Sequence, residues 1–345
     1  MKILTPVLGA ALGLLTGMSP AFAWNPPSGP SKFDADAPLT PTTPLSKGHA
    51  WITQAAISVL YNDGYWFAAD KLRENQNHIL SGNRWQDVRD GDQRAVLVGC
   101  AIPLVGISNY CPDWLKTDIK TIDSWPLSAV NHYYNPDTKK GLDFGSLTTL
   151  QYWQIPTGGI VFIDIRPNLG TGGVFPATTI MAQEFGTSTG IYRGDTPANP
   201  IGARSSKEAL GFFYLGSAVH LVQDLNVVHH TYDEFSKNHS DYENEADKWI
   251  AGRVLPTADD GWTGRYLANV PQVDCSAGEI RCLATNAAQL AHVKADLDAA
   301  ENKNYSAAAS HVRSATEFTA GVFHEFFVKI GEEPVNVPAA LRVIL

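Results

Sequence analysis

Helical spacing of apolar residues dominates the second half of the chain. In the stretches 206–224, 242–254, 286–302 and 306–330, apolar side chains recur every three or four positions. This spacing places them on one face of an α-helix, so each stretch predicts a helix. The first stretch is apolar around its middle, which predicts a helix buried in the core. The last carries a stripe of five apolar residues: Val312, Phe318, Val322, Phe326 and Ile330.

The first half of the chain mixes helices with other patterns. Residues 49–60 and 66–80 have helical spacing and end at turn-forming residues, whereas 83–92 is polar and turn-like. The region 142–176 contains a β-rich run, and 187–203 is a loop rich in Gly, Pro and Thr. We therefore predict an all-α fold, a multi-helix bundle with a small irregular or β excursion near 142–176.

The N-terminus has the pattern of an export signal. Lys2 gives a basic start, 7–15 is apolar but too short to cross a bilayer, and the Ala-Phe-Ala that ends at Ala23 suits signal peptidase. Cleavage there, after a signal peptide of residues 1–23, would leave Trp24 as the mature N-terminus. We expect a secreted or periplasmic protein without a transmembrane segment, in which residues 24–345 form a single domain.

The net charge of the chain is −9 at pH 7. An acidic protein lacks the positive surface by which proteins ordinarily bind duplex nucleic acid. This charge does not exclude a nuclease, because bound metal ions can supply positive charge locally. The composition therefore argues against a DNA-binding protein of the basic kind and leaves metal-dependent enzymes open.

The cysteines form two pairs that are close in sequence. Cys100 and Cys111 are eleven residues apart, and Cys275 and Cys282 are seven residues apart. In an exported protein such pairs predict two local disulfides. The alternative is a zinc site with four cysteine ligands, but neither pair has the two-residue spacing typical of such sites.

Residues suited to metal binding are concentrated in one short stretch. His220 and Asp224 are four residues apart, His239 and Glu243 are also four apart, and His230 lies between the two pairs. Residues four apart share one face of an α-helix, and imidazole with carboxylate is a common ligand set for zinc. The alternative is two ordinary polar pairs on solvated helix faces, each contributing only about 0.2–0.5 kcal/mol. Since the helix around His220 is predicted to be buried, where unpaired polar groups are costly, we favour a metal site.

Further motifs follow one another over most of the mature chain. They are Trp24; Gly48-His49-Ala-Trp-Ile; Leu80-Ser-Gly82 with Asp87; Asn131-His132-Tyr-Tyr-Asn-Pro-Asp137; Phe213-Tyr-Leu-Gly with His220, Asp224 and His230; His239-Ser-Asp-Tyr-Glu243; and Ala315 with Gly321 and Phe326. In this order they resemble the bacterial zinc-dependent phospholipase C family, which is related in fold to the single-strand-specific zinc nucleases.

The resemblance implies that the helices surround a cluster of three zinc ions. One zinc would be bound by Asp87, His132, His220 and Asp224. A second would be bound by His230, His239 and Glu243. A third would take the α-amino nitrogen and carbonyl of Trp24 together with His49, and would share Asp224. The resemblance also implies a catalytic role for Asp87 as general base.

The implied activity is that of a secreted zinc metallohydrolase. It would cleave the phosphodiester bond of glycerophospholipids with a zinc-activated water, giving diacylglycerol and a phosphorylated head group. We expect a monomer that contacts the membrane surface only transiently.

Two alternatives remain open. One is a zinc-dependent nuclease acting on single-stranded DNA or RNA, which the run Trp85-x-Asp87-x-Arg89 would also suit. Glu243, where those nucleases carry aspartate, and the Pro-Asp turn after His132 favour the phospholipase. The other is a metal-stabilised secreted binding protein without catalytic turnover.

Overall fold

The computed structural model describes ten segments of the chain: residues 48–88, 97–101, 132–141, 151–154, 160–164, 169–170, 173–174, 176–195, 206–232 and 238–332. These segments contain nine α-helices: α1 (Gly48–Asn62), α2 (Trp66–Glu74), α3 (Gln76–Val88), α4 (Ala177–Tyr192), α5 (Lys207–Asp224), α6 (His239–Ile250), α7 (Arg281–Ala291), α8 (Lys294–Glu301) and α9 (Ala308–Ile330). The predicted multi-helix bundle is confirmed.

The β structure is small and lies mostly where the sequence predicts it. The strands are β1 (Leu97–Ala101), β2 (Gln151–Gln154), β3 (Ile160–Asp164), β4 (Leu169–Gly170) and β5 (Gly173–Val174). Strand β3 lies in the middle of an antiparallel sheet of order β1-β3-β2, and β4 pairs with β5. Four of the five strands fall within the predicted excursion. Strand β1 was not predicted, because a strand of five residues carries little pattern of its own until its partner is known.

Helix α5 is the centre of the bundle. All its residues from Ala209 to Asp224 are buried, as its apolar sequence predicts. Its N-terminus is capped by Ser206, whose hydroxyl accepts a hydrogen bond from the Ala209 N–H at 3.1 Å. Helices α3, α4 and α9 pack against α5. A polar side chain near the end of this helix is therefore surrounded by protein on all sides.

Two glycines let α3 and α5 cross with their backbones in contact. A Cβ atom on Gly82 would lie 1.7 Å from the carbonyl oxygen of Phe213, and one on Gly216 would lie 1.9 Å from that of Ile79. No other residue type fits such a crossing without displacing a helix. The contact brings Asn83, the residue after Gly82, within reach of His220.

The structure corrects the predicted course of the chain between residues 66 and 92. The single helix predicted over 66–80 is two helices, which meet at Asn75. The second continues through 83–88, which the polar pattern assigned to a turn. Those polar residues find partners on α5: Asn83 and Gln86 are buried, and Gln86 accepts a hydrogen bond from the Ser217 hydroxyl at 2.7 Å. Tertiary hydrogen bonds therefore stabilise a helix that the sequence alone disfavours.

Helix α4 is a second correction, because residues 187–192 were predicted as loop. Glycine and β-branched residues give this segment low helix propensity. In the structure the helix runs along α5, and the Ser188 hydroxyl donates a hydrogen bond to the Gly211 carbonyl at 2.7 Å in the interior. Packing against α5 overrides the local preference.

Three other helix predictions need adjustment. The helix predicted over 286–302 is two helices, α7 and α8, separated at His292 and Val293. The backbone of His292 is not helical, and its Nδ1 donates a hydrogen bond to the Thr231 carbonyl at 2.8 Å. Helix α6 begins at His239 and ends at Ile250, earlier at both ends than predicted, and α9 begins two residues later than predicted.

The closing helix and one disulfide agree with the sequence. In the predicted stripe of α9, Val312, Phe318, Val322 and Phe326 are buried, and Ile330 is partly buried. Cys275 and Cys282 form a disulfide with a Cα–Cα distance of 5.5 Å. Their sulfurs are therefore not available as thiolate ligands, which contradicts the four-cysteine zinc site. The predicted Cys100–Cys111 pair lies outside the described residues.

Candidate metal centre

The C-terminal end of α5 supplies the first pair of site residues. His220 and Asp224 are fully buried, and His220 Nε2 lies 3.1 Å from Asp224 Oδ2. Because they are one helical turn apart, the two side chains share the same face of the helix, as their spacing predicts. Asp224 is the last residue of α5, so its carboxylate also faces the segments that approach this end of the helix.

Helix α1 brings His49 to the same carboxylate. His49 Nε2 lies 3.3 Å from Asp224 Oδ1, and the His49 ring stacks on that of His220 with centroids 4.0 Å apart. The first turn of α1 is held by Asp247 of α6, whose carboxylate accepts a hydrogen bond from the Gly48 N–H at 2.8 Å. A negative side chain at a helix N-terminus is favourable, and here it also connects α1 to the helix that carries Glu243.

His132 reaches Asp224 from a short segment outside the helices. Its Nδ1 lies 2.6 Å from Asp224 Oδ2, and its ring meets the His220 ring edge to face. The segment is connected to the residues after α5 by backbone hydrogen bonding, because the Tyr134 N–H donates to the His230 carbonyl at 2.9 Å. This hydrogen bond places His132 and His230 side by side.

The second cluster of side chains lies beside the first. His230 sits in a 3₁₀ turn, Val228–Thr231, and its Nε2 lies 2.9 Å from Nε2 of His239. His239 begins α6, and its Nε2 lies 2.8 Å from Oε1 of Glu243, one turn further along the helix. Two imidazole nitrogens and a carboxylate oxygen thus meet at one point.

Seven of the nine predicted ligand residues fall into three groups, each with its candidate ligand atoms within 4.8 Å of one another. The groups are His49, His220 and Asp224; His132, Asp224 and His230; and His230, His239 and Glu243. Asp224 belongs to two groups, in keeping with the bridging role implied by the resemblance. The group of His230, His239 and Glu243 is the ligand set that the resemblance implies for the second zinc. The other two groups differ from the implied sets. In the structure His49 is grouped with His220 and His132 with His230, whereas the resemblance groups His132 with His220.

The two remaining predicted ligands are Trp24 and Asp87. Trp24 lies outside the described residues, as does the side chain of Asp87, although the backbone of Asp87 belongs to the last turn of α3. Since Asn83, one turn earlier on α3, contacts His220, this helix runs alongside the site.

The buried polar atoms of the first two groups fit a cation. His49 Nε2, both ring nitrogens of His132 and both carboxylate oxygens of Asp224 are inaccessible to water and form no well-aligned hydrogen bond among the described residues. Their separations of 2.6–3.3 Å are short, but the angles are not those of hydrogen bonds. Leaving such groups buried and unsatisfied is costly. Nitrogen and oxygen atoms converging in this way suit a divalent metal such as zinc.

Electrostatics favours the protonation states that bind metal. Burial lowers the pKa of His230 to about 3 and holds the pKa values of His49 and His239 well below their usual value. Burial alone would raise the pKa of Asp224, but the neighbouring His220 and His132 lower it well below its usual range. Near neutral pH His49, His230 and His239 are therefore neutral and Asp224 is anionic, which are the forms that coordinate metal ions.

Two residues around the site were not anticipated: Gln223 hydrogen-bonds to His49, and Asn83 to His220. Tyr133, from the aromatic motif that follows His132, stacks its ring on His230 at 4.6 Å. A glutamine inside an otherwise apolar helix is the one sequence signal that points to such a partner. His229 is also buried, and its ring stacks on that of His239 at 4.9 Å.

The chain was compared with protein-family models, curated proteins and solved structures, and only solved structures match it. No protein-family model and no curated protein matches the chain. Among solved structures the chain is similar to the alpha toxin of Clostridium absonum, at 14% identity and a TM-score of 0.50, and to the alpha-toxin of Clostridium perfringens from avian strain SWCP, at 15% identity and a TM-score of 0.46. Each match covers 84% of this chain and 66% of the toxin chain. The match to the C. absonum alpha toxin shows a shared helical fold.

A membrane-spanning helix is not found among the residues that the structure describes, since none of their helices combines the necessary length and hydropathy.

Proposed function

We propose that the chain is a zinc-dependent phospholipase C that hydrolyses glycerophospholipids to diacylglycerol and a phosphorylated head group. The observation that carries the proposal is the buried convergence of three imidazole rings and further ligand atoms around Asp224. The ordered sequence motifs and the helical fold shared with the C. absonum alpha toxin support it independently. The signal-like N-terminus and the disulfide are compatible with a secreted or periplasmic enzyme.

Three zinc ions would be held by nine residues: Trp24, His49, Asp87, His132, His220, Asp224, His230, His239 and Glu243. The proximity of seven of these residues in the described part of the chain supports this assignment. Bound zinc would neutralise the charge of the phosphodiester oxygens and lower the pKa of a water molecule to about 7.

The residues of the chain itself prepare the site for this chemistry. His49 and His230 each donate Nδ1–H to an oxygen of the protein, Gln223 Oε1 and the His132 carbonyl, so that Nε2 of each ring faces the cluster. Burial excludes bulk water and so strengthens the attraction between the site and a bound anion. Asp87, as general base, would take the proton of the attacking water.

The nuclease remains the competing function, since the same cluster would bind a nucleic-acid phosphodiester. Glu243 and the turn at Pro136 and Asp137 favour the phospholipase by resemblance. A lipid substrate would need only transient contact with a membrane surface.

One set of assays distinguishes these possibilities. The processed chain beginning at Trp24 is given phosphatidylcholine in mixed micelles or single-stranded DNA, with and without a zinc chelator. We expect release of the phosphorylated head group, loss of activity with chelator and recovery on adding zinc. DNA cleavage without lipid hydrolysis would establish the nuclease, and activity unaffected by chelator would refute the zinc cluster. Absence of turnover with zinc bound would support the binding protein.

Matched variants link the activity to the site. His239→Ala removes a predicted ligand, whereas His324→Ala removes a partly buried histidine that contacts Tyr65, Tyr266 and Glu325. We expect His239→Ala to abolish lipid hydrolysis and His324→Ala to retain it. Equal activity of the two variants would contradict the assignment of the site.

A further inference from the structure

A buried chain of polar side chains connects two of the candidate ligands on the side away from Asp224. Gln223 precedes Asp224 in α5, and its Oε1 lies 2.6 Å from His49 Nδ1 and 3.0 Å from Asn83 Nδ2. Asn83 of α3 in turn places its Oδ1 3.4 Å from His220 Nδ1. The side chains of Gln223, Asn83, His49 and His220 are fully buried. None of the predicted ligand sets includes Gln223 or Asn83.

The hydrogen bonds along this chain run in one consistent direction in the structure. Gln223 Nε2 donates to the Thr53 hydroxyl oxygen at 3.1 Å, so its Oε1 points toward His49 and Asn83. Asn83 Nδ2 donates to that oxygen, which leaves Asn83 Oδ1 as the atom facing His220. An amide oxygen only accepts hydrogen bonds. With the amides in this orientation, both histidines carry a proton on Nδ1.

A neutral imidazole carries one proton, so the other nitrogen has a free lone pair. For His49 and His220 that nitrogen is Nε2, the atom that lies 3.3 Å and 3.1 Å, respectively, from the Asp224 carboxylate. The opposite tautomer would place a lone pair against an amide oxygen, and would direct Nε2–H to the position a metal would occupy. The two stacked rings thus share one tautomer.

We propose that Gln223, together with Asn83, is a positioning residue that holds His49 and His220 in the Nδ1–H tautomer and so directs both Nε2 atoms to the metal. This inference rests on the proposed metal centre but not on the identity of the substrate. Hydrogen bonds to the second nitrogen of a metal-bound histidine orient the ring, and losing them typically lowers metal affinity about 10- to 100-fold. Gln223 serves His49 directly and His220 through Asn83.

A glutamine suits this position because one side chain contacts three neighbours. Leucine at 223 would fill a similar volume without accepting from His49 or donating to Thr53. Glutamate would retain the acceptor oxygen and could receive a hydrogen bond from the Thr53 hydroxyl. Both substitutions keep a side chain of similar size, but only leucine removes the acceptor oxygen that faces His49.

The matched control is Gln86→Leu. Gln86 also lies in the buried contact of α3 with α5, where it accepts a hydrogen bond from Ser217. Gln223→Leu and Gln86→Leu should lower the unfolding temperature to a similar degree. Only a positioning role predicts that they differ in metal binding.

The experiment measures zinc affinity by competition with a chromophoric chelator, and the tautomers by ¹⁵N NMR of the histidine rings in the metal-free protein above pH 7. We expect His49 and His220 to carry Nδ1–H in the unmodified chain. Gln223→Leu should populate the other tautomer of His49 and weaken zinc binding about 10- to 100-fold. Gln223→Glu and Gln86→Leu should retain the tautomer and bind zinc within about threefold of the unmodified chain.

Two results would overturn the proposal. One is Nε2–H on His49 or His220 in the unmodified chain, a measurement that requires no variant to fold. The other is equal zinc affinity of Gln223→Leu and Gln86→Leu. Neither measurement involves phospholipid. If the protein does not hydrolyse lipid, the proposed function is refuted, whereas the zinc affinities and the tautomers still test the role of Gln223.

Discussion

Replacing Gly216 with alanine tests whether the close crossing of α3 and α5 supports the site. The new Cβ would lie 1.9 Å from the Ile79 carbonyl oxygen and 2.9 Å from the Asn83 backbone nitrogen. Real Cβ atoms essentially never approach another atom within 3.0 Å, so the helices would have to separate by about 1 Å. The obstructing atoms belong to the backbone, and rotation of a side chain cannot relieve the contact.

The expected magnitude follows from two opposing effects. Alanine improves helix propensity over glycine by about 1 kcal/mol. Overpacking of a core, including the backbone shifts it forces, costs about 1–3 kcal/mol. Because the obstructing atoms are backbone, we take the upper end of this range and expect Gly216→Ala to lower the free energy of unfolding by about 2 kcal/mol. Separation of the helices should also withdraw Asn83 from His220 and weaken zinc binding.

Gly186 provides the control. It lies inside α4 and is exposed, and no neighbouring atom lies within 4 Å of the position that a Cβ atom on this residue would take. Gly186→Ala should therefore show the propensity effect alone and raise the free energy of unfolding by about 0.5–1 kcal/mol. The same substitution in two helix interiors is thus expected to act with opposite sign.

The assay is urea unfolding of the metal-free proteins, followed by far-ultraviolet circular dichroism. Similar slopes for all three proteins would allow their midpoints to be compared as stabilities. If Gly216→Ala unfolds at or above the midpoint of the unmodified chain while Gly186→Ala is stabilised as expected, α3 and α5 do not cross with their backbones in contact. In that case this crossing would not hold Asn83 against His220 either.

Three further predictions concern metal, pH and processing. Removing zinc with a chelator should lower the unfolding temperature of the unmodified chain far more than that of His239→Ala, because metal bound only by the folded state stabilises it by about 4 kcal/mol at a thousandfold excess over Kd; equal shifts would contradict this. Burial lowers the pKa of His311 from 6.5 to about 4, so the metal-free protein should lose stability as the pH falls from 6.5 to 4, by at most about 1.4 kcal/mol per pH unit from this residue. His311→Gln should reduce that slope in urea titrations, and an unchanged slope would show that His311 is not the group responsible. A chain that keeps residues before Trp24 lacks the free α-amino group and should bind two zinc ions rather than three by metal analysis; three would count against Trp24 as a ligand.

The pairs His220–Asp224 and His239–Glu243 were predictable because the helix converts a spacing of four residues into one shared face. The buried character of α5 was predictable for a similar reason, since apolar residues surround it on all sides. Both properties depend only on neighbours within the same helix. The resemblance extended the set to His49 and His132, whose approach to Asp224 depends on contacts far apart in sequence.

The failures of the sequence prediction have a common cause. Residues 83–88 and 187–192 have weak helix propensity, yet both are helical because α5 supplies hydrogen-bond partners and packing surface. The predicted helix over 286–302 is interrupted where His292 bonds to the Thr231 carbonyl. In each case a contact distant in sequence outweighs a local preference of a few tenths of a kcal/mol per residue.

The sequence by itself determined the local chemistry of this protein, namely which residues can bind a metal and which of them share a helix face. Only the tertiary structure decided that His132 and His230 share one group and that Gln223 contacts Nδ1 of His49. Helical periodicity acts over one or two turns and can be read from spacing. Which nitrogen of His49 and His220 faces an amide side chain depends on how α1, α3 and α5 pack, and no short stretch of sequence encodes that packing.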